Sequence, residues 1–234
     1  MSRLKTVAAG SANGRHPDRR SATGVLLIVP AVVLSLLATA GQAAATNAAH
    51  STSPVVMLPG FDQVGTSTLV RTDHGLSAML DTTALTPDDV VTLWWIVFNK
   101  PAACQHPIPG SACGPGDAHN TAADGPQPSA LHAAGRIVGD DGTAAYGAHV
   151  RVGDTSRALF GPGLLDARGA HIVLVLKTHG PKVPSLTAEM LRTFAGGCAD
   201  HSDVPPGAPS HLVGPLGPND CAEIQFSVHS PTPG

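Results

Sequence analysis

VVTLWWIVFN, residues 90–99, predicts the strand around which the rest of the chain folds. Successive side chains of a strand point to opposite faces, so two sets of apolar residues alternate here: Trp94, Ile96 and Phe98 on one face, and Leu93, Trp95 and Val97 on the other. A strand that is apolar on both faces lies inside a sheet and is covered on each side. Both tryptophans are therefore expected in the core rather than in a sugar-binding platform.

The composition around this strand favours short strands over helices. The chain contains 26 glycines and 21 prolines, which interrupt helices, and its glutamates, which favour helices, are only Glu189 and Glu223. We therefore predict an all-β fold, a β-sandwich of immunoglobulin-like or jelly-roll-like type with about seven strands. One short helix is expected near 185–195, with Ser185 as its N-cap and Gly196-Gly197 at its end.

Four further segments show the alternation expected of strands. They are Thr68–Leu80, a hairpin over Leu131–Val152 with its turn at Gly139–Gly142, His171–Lys177, and Ala222–Val228. The predicted domain boundaries are an N-terminal spacer at 46–66, a single β-sandwich domain at 67–230 and a tail at 231–234. Between the strands, Lys100–Ser129 and Pro205–Pro218 are rich in proline and glycine and are predicted to be surface loops.

Residues 1–45 have the organisation of a secretory signal peptide. Arg19 and Arg20 precede the uncharged run GVLLIVPAVVLSLLATA (24–40), and the small residues of 41–45 follow it. The alternative is an uncleaved anchor, but the run is shorter than the roughly 20 residues of a spanning helix and contains Pro30. We therefore expect a secreted or extracytoplasmic protein, located outside the cell or in the cell envelope, with no membrane insertion after cleavage.

The charge of the exported part excludes two classes of partner. The leader contains five of the 14 Lys and Arg and one of the 17 Asp and Glu, which leaves nine basic and 16 acidic residues and a net charge near −7. Such a chain repels the phosphates of nucleic acid and the head groups of anionic membranes. The expected partner is instead an extracellular or cell-envelope molecule of unknown identity.

The cysteines are predicted to form two disulfides. Four cysteines allow three pairings, and the local one joins Cys104 to Cys113 and Cys198 to Cys221. The crossed pairings would require the two loops to meet. A structural zinc site usually contains cysteines two to four positions apart, which no two cysteines here match, and an oxidising compartment favours disulfides.

Two histidines on the predicted hairpin suggest a metal site. A two-residue turn at Asp140-Asp141 would place His132 directly opposite His149, with Cβ atoms about 5 Å apart. Two imidazoles at that separation can share a Zn²⁺ or Cu²⁺ ion if a third ligand is supplied. The alternatives are two exposed neighbours on a polar sheet face, and a contact that responds to pH near neutrality.

No catalytic motif stands out, so we expect a binding protein more than an enzyme. The segment Gly110–Gly114 lacks the spacing of a nucleophile elbow, and the even number of cysteines leaves no expected free thiol. The prediction is a disulfide-stabilised β-sandwich acting as a binding or interaction module through its surface loops, Lys100–Ser129 and Pro205–Pro218. The alternatives are a metal-dependent protein or enzyme using His132 and His149, and a structural component of the envelope.

Several segments resemble a family of exported bacterial proteins of uncharacterised function. They are TLWWIVFNKPAAC (92–104), LFGPGLLDARGA (159–170), LVLKTHGP (174–181) and CAEIQFSVH (221–229). The resemblance covers roughly residues 68–230. It implies a compact exported β-domain and no catalytic residues, and it implies that His179-Gly180-Pro181 is a structural turn in which His179 bonds a local backbone carbonyl.

Overall fold

A computed structural model describes residues 48–232 of the chain. The predicted signal peptide, 1–45, therefore lies outside the described residues. Nine strands are present: β1 (Ala49–Met57), β2 (Gln63–Thr72), β3 (Gly75–Thr82), β4 (Asp89–Phe98), β5 (Pro128–Ile137), β6 (Ala144–Arg151), β7 (Ala158–Phe160), β8 (His171–Pro181) and β9 (Ala222–His229). The helices are single turns: α1 (Pro115–Ala118), α2 (Thr187–Met190), α3 (Ser210–Val213) and a 3₁₀ turn at Pro101–Ala103.

All nine strands belong to one curled antiparallel sheet, in the order β6-β3-β2-β1-β9-β8-β4-β5-β7. The prediction of an all-β chain is confirmed. Residues 48–232 contain nine strands rather than about seven, and two facing sheets are not confirmed, because one continuous hydrogen-bonded order connects all nine. Within the described residues no helix is long and apolar enough to cross a membrane.

Strand β4 contains VVTLWWIVF (90–98), all of the predicted stretch except Asn99, and is buried on both faces, as predicted. It pairs with β5 along one edge and β8 along the other. Trp94 and Trp95 are 2% and 1% exposed and point to opposite faces, so both are core residues. Each bulky side chain removed from water contributes roughly 1.5–3 kcal/mol, which makes β4 a major source of stability.

The main core lies on the concave face of the curled sheet. It joins side chains from β2, β3, β4, β5, β6 and β8 in one cluster, among them Leu69, Leu76, Leu80, Leu93, Trp95, Tyr146 and Leu174. This cluster contains side chains from strands near both ends of the sheet order, so the sheet must curl around the cluster. This curl brings β5 and β6, which lie near opposite ends of that order, close together.

Two disulfide-closed loops cover the opposite face of the central strands. One disulfide joins Cys104 to Cys113 within the loop 99–127. The other joins Cys198 to Cys221, which are 23 positions apart in the chain. The predicted local pairing is confirmed. The first loop packs Cys113 against Phe98 and Phe226, and the second packs Leu212 against Trp94. The two predicted binding loops thus form the cover of a second apolar layer.

Arg71 of β2 connects the loop before β8 to the end of β9 through hydrogen bonds. Its guanidinium is fully buried and donates to four carbonyl oxygens, those of Ala167, Ala170, His229 and Ser230, at 2.7–3.1 Å. Burial lowers its pKa to about 10, which still leaves it charged at neutral pH. Hydrogen bonds from a charged donor are among the stronger ones, so this side chain fixes the chain after β9.

Three sequence predictions are corrected by the strand order. The spacer predicted at 46–66 contains β1, which tolerates Pro54 because β1 meets β9 only at Val56 and Met57. The sheet therefore starts before the predicted domain boundary at residue 67. The helix near 185–195 is only the single turn Thr187–Met190, and α1 and α3 are additional.

The predicted hairpin over Leu131–Val152 is also wrong. Its turn is present, because the Gly142 N–H donates to the Gly139 carbonyl. The strands on either side of the turn nevertheless do not pair with each other. Strand β5 pairs with β4 and β7, whereas β6 pairs with β3. Tyr146 and Val150 of β6 are buried in the concave core beside Leu76 and Leu80 of β3, and this burial determines the pairing.

Candidate ligand-binding site

Strands β5 and β6 do not pair with each other, and a gap is left between them in the curled sheet. We call this gap the sheet opening. No ladder joins β5 to β6 in the described chain, although the strands approach one another. The opening has a volume of about 370 Å³. Its lining is Trp95, Leu131–Ala133, Gly147–Val150, Asp154, Ser156 and Arg157.

The free edge of β6 forms one wall of the sheet opening. The N–H of Val152 donates to the carbonyl of His74 at 2.9 Å, and these two residues continue the β6–β3 register. Hydrogen-bonded pairs alternate along an antiparallel ladder, so the even-numbered residues of β6 bond β3 and the odd-numbered residues face the gap. In agreement, the Arg151 carbonyl accepts from the Asp154 N–H at 3.2 Å.

Gly147 and His149 therefore present backbone groups that have no partner within residues 48–232. Both lie in the part of β6 that lines the opening, and both are exposed. An unpaired edge of this kind is a template for an added strand. The free edge could not be predicted from the sequence, because the pattern of 144–151 is that of any half-buried strand.

Trp95 lies at the interior side of the opening and has an unsatisfied donor. The residue is 1% exposed, and its Nε1–H has no hydrogen-bond partner in the described chain. A buried donor without a partner costs about 1–3 kcal/mol. Its neighbour Trp94 differs, since Trp94 Nε1–H donates to Thr92 Oγ1 at 2.9 Å.

His132 stands where the sheet opening meets a second cavity, which we call the His132 cleft. This cleft of about 660 Å³ shares His132, Ser156 and Arg157 with the opening and continues over Glu189, Arg192, His211 and Leu212. The ring packs edge-on against Trp94 with centroids 5.3 Å apart. A bulge in the β4–β5 register, where β5 has one residue more than β4, places it opposite Trp94.

The protonation state of His132 follows from its surroundings. Its Nε2–H donates to the Leu191 carbonyl at 3.1 Å, which leaves Nδ1 as an acceptor. Burial lowers the pKa of His132 to about 4, so the ring is neutral at pH 7. A neutral imidazole here can accept a hydrogen bond or bind a metal ion.

The structure changes the basis of the predicted metal site. His149 is exposed in β6, opposite Ser77 of β3, and its Nδ1 lies 3.1 Å from Ser77 Oγ. His132 pairs with Trp94 of β4, so the predicted direct opposition of His132 and His149 is wrong. The two residues do line the same opening, and a shared metal ion stays a prediction.

The groups of three possible metal ligands in the described chain lie elsewhere. They are His179 with Cys198 and Cys221, and Asp117 with Cys104 and Cys113. In both groups the two thiols are joined in a disulfide, so neither offers a thiolate, which is the form of cysteine that binds metal.

Two buried histidine networks were not foreseen from the sequence. His179 Nδ1–H donates to the Gly196 carbonyl, and Thr92 Oγ1 lies 2.9 Å from its Nε2. The carbonyl is thus 17 positions away rather than local. His229 Nε2 lies 2.8 Å from Ser67 Oγ, a spacing that a serine nucleophile and its base can have. Both residues are buried, and each has a further side-chain partner, Ser227 for Ser67 and Ser51 for His229, so we interpret the pair as structural.

The chain matches no protein-family model, and no curated protein matches it. The resemblance to exported bacterial β-domain proteins stays a prediction.

Proposed function

We propose that the protein is an exported binding module that takes an extended peptide along the free edge of β6, in the sheet opening. The observation that carries this proposal is the pair of unpartnered backbone positions, Gly147 and His149, on the wall of a cavity. Strand addition to an exposed edge supplies main-chain hydrogen bonds, and neighbouring pockets then select side chains.

Export is part of the same proposal. The predicted leader at 1–45 and two disulfides, Cys104–Cys113 and Cys198–Cys221, support an oxidising, extracytoplasmic location. The rigid support that we expected from a sandwich is then provided by the curled sheet. The two disulfide-closed loops cover the convex face of the sheet. The lining of the sheet opening, between β5 and β6, contains no disulfide.

The experiment uses the chain purified after export into an oxidising compartment. A pool of random hexapeptides, acetylated at the amino terminus and amidated at the carboxyl terminus, is passed over the immobilised protein. The retained peptides are identified and quantified by mass spectrometry. We expect retention by the native chain, and amide chemical shifts at Gly147 and His149 when the retained fraction is added to ¹⁵N-labelled protein.

A proline variant tests the site directly. His149→Pro removes an N–H that faces the opening and is compatible with an edge strand, so we expect retention to fall at least tenfold. Asp140→Pro is the matched control, since Asp140 occupies the second position of the Gly139–Gly142 turn, where proline is favoured. Equal retention by the native chain and His149→Pro would overturn the proposal.

The second candidate function is the metal-dependent one. It is favoured by one observation, that the unpaired Nδ1 of His132 and the ring of His149 border the same opening. Elemental mass spectrometry of the purified chain tests it. One zinc or copper ion per chain, lost in a His132→Ala/His149→Ala double variant, is the result that this function requires, and a metal-free folded chain contradicts it.

A further inference from the structure

Two residues that line the sheet opening have donors that the described chain leaves unpaired or weakly paired. One is Trp95 Nε1–H, which is buried and has no partner within residues 48–232. The other is the guanidinium of Arg157, which is exposed and forms no ion pair there; its nearest contact is a long one, 3.5 Å, to the Ala133 carbonyl. Both residues line the same cavity of about 370 Å³.

The distribution of cations singles out this region of an acidic chain. Five of the Lys and Arg side chains in the described part are buried or already paired with a carboxylate: Arg71, Lys177, Arg168, Lys182 and Arg192. The others form no ion pair there: Lys100, Arg136, Arg151 and Arg157. Three of these four belong to β5, β6 or the loop after β6. Of these four cations, Arg157 is the one that lines the opening, where Asp154 supplies a carboxylate.

Asp154 is the acidic residue in the lining, and it is already engaged. Its Oδ1 accepts from the Ser156 N–H at 2.9 Å. That hydrogen bond lowers the pKa of Asp154, with smaller contributions from Arg157 and Arg151. The carboxylate therefore organises its own loop, and Arg157 retains donors for a ligand, because a guanidinium has five N–H groups.

A strand added to β6 would bring a side chain to these donors. Alternate side chains of an added strand point to the same face of the sheet as Tyr146, Ala148 and Val150, which is the face that Trp95 occupies. A carboxylate is the acceptor that suits both an indole N–H and a guanidinium, since it has two oxygens and a negative charge.

We infer that the peptide ligand is acidic and that one of its carboxylates enters the sheet opening, where it accepts from Trp95 Nε1–H and pairs with Arg157. This inference rests on the proposed function. The carboxylate belongs either to an aspartate or glutamate side chain or to the carboxyl terminus of the peptide, and the experiment separates these two sources.

Four peptide pools test the inference on the exported chain. Three are acetylated, amidated hexapeptide pools with glutamate, glutamine or leucine fixed at the third position, and the fourth has leucine there and a free carboxyl terminus. We expect at least tenfold higher retention of the glutamate pool or of the free-acid pool than of the amidated leucine pool. The pool that is preferred identifies the source of the carboxylate.

The variant Arg157→Ala should abolish the preference for the carboxylate, so that the glutamate and glutamine pools are retained equally. Lys100→Ala is the control, because it removes an exposed lysine outside the opening and should keep the preference. If removal of Arg157 leaves the preference for the carboxylate intact, the pairing with Arg157 is wrong.

The two tryptophans provide a second readout. The ¹⁵N-labelled chain has two indole N–H signals, one from Trp94 and one from Trp95, and Thr92→Val identifies the signal of Trp94 by shifting it. Binding should move the Trp95 signal downfield and leave that of Trp94 in place.

The outcomes distinguish the two proposals. Retention that depends on the His149 N–H but is equal for all four pools, with the Trp95 signal unmoved, overturns the carboxylate inference and leaves strand addition standing. Retention that does not depend on the His149 N–H overturns the proposed function and the inference together.

Discussion

Trp94 and Trp95 are adjacent in the chain and differ in their hydrogen bonding. Trp94 Nε1–H donates to Thr92 Oγ1 at 2.9 Å, whereas Trp95 Nε1–H has no partner in the described residues. The two rings lie on opposite faces of β4, so one serves the covered convex layer and the other reaches the sheet opening. The hydrogen bond to Thr92 holds Trp94 in the covered layer, and the free donor of Trp95 belongs to the site that we propose.

Replacing Thr92 with valine should destabilise the chain by about 3 kcal/mol. The substitution preserves shape but leaves two buried groups, Trp94 Nε1–H and His179 Nε2, without their partner, at about 1–3 kcal/mol each. Urea unfolding followed by tryptophan fluorescence measures the change in the free energy of unfolding. Thr66→Val, at an exposed position of β2, should change it by less than about 0.5 kcal/mol; equal effects of the two variants would contradict the prediction.

Acid should unfold the protein below about pH 5. Burial lowers the pKa values of His171, His179 and His229 to about 4 from an ordinary value near 6.5. Above pH 6.5 the rings are neutral in both states, so they contribute no pH dependence. Between pH 6.5 and 4 the unfolded chain binds protons that the folded chain does not, and stability falls by up to about 3 kcal/mol per histidine.

Burial lowers the pKa of His132 to about 4 as well, and four such losses together approach a typical total stability of about 5–15 kcal/mol. Urea titrations at several pH values from 7.5 to 4.5 measure this loss. His179→Gln should reduce the pH dependence by about a quarter, and His50→Gln, which changes an exposed side chain, should leave it unchanged. A free energy of unfolding that is constant from pH 7 to pH 5 is incompatible with neutral buried imidazoles.

The two disulfides should differ in their contribution. The loop between Cys198 and Cys221 spans 23 positions and that between Cys104 and Cys113 spans nine, so chain entropy predicts losses of about 3.5 and about 2.5 kcal/mol on removal. Paired Cys→Ala variants measure them. The measured difference between the two losses should exceed the predicted difference, because Cys198 lies two residues after Gly196, whose carbonyl accepts from His179. A larger loss on removing Cys104–Cys113 would refute the ranking.

Hydrogen exchange should alternate along β6. The amides of Ala148 and Val150 bond β3, and those of Gly147 and His149 face the sheet opening, so the second pair should exchange at least a hundredfold faster. Amide exchange by NMR on the exported chain gives these rates residue by residue. Similar protection at all four positions would mean that β6 is paired on both edges.

The elements that sequence reasoning predicted well are those whose pattern is local. The alternation of 90–99 and of 171–177 suffices to identify two buried strands, and β9 was located within one residue. Strand pairing is not local, and this is why the hairpin over Leu131–Val152 was wrong: the turn formed, but burial of Tyr146 beside β3 outweighed pairing with β5.

The candidate site was predicted only in part. His132 and His149 were singled out from the sequence, and both border the opening, although the reason given for their proximity did not hold. Gly147, Trp95 and Arg157 were not recognised as site residues. Their proposed role depends on donors that have no strong hydrogen-bond partner in the folded chain. Such donors can be identified only when the positions of all neighbouring residues are known.

Strand β9, the final one described, occupies the fifth of nine places in the sheet, between β1 and β8. Without it the sheet consists of two separate halves of four strands, β6-β3-β2-β1 and β8-β4-β5-β7. Ribosomes supply the chain from its amino terminus, so neither half can be joined to the other until residues 222–229 have emerged. The two halves of the sheet can therefore be joined only after the last described strand has been synthesised.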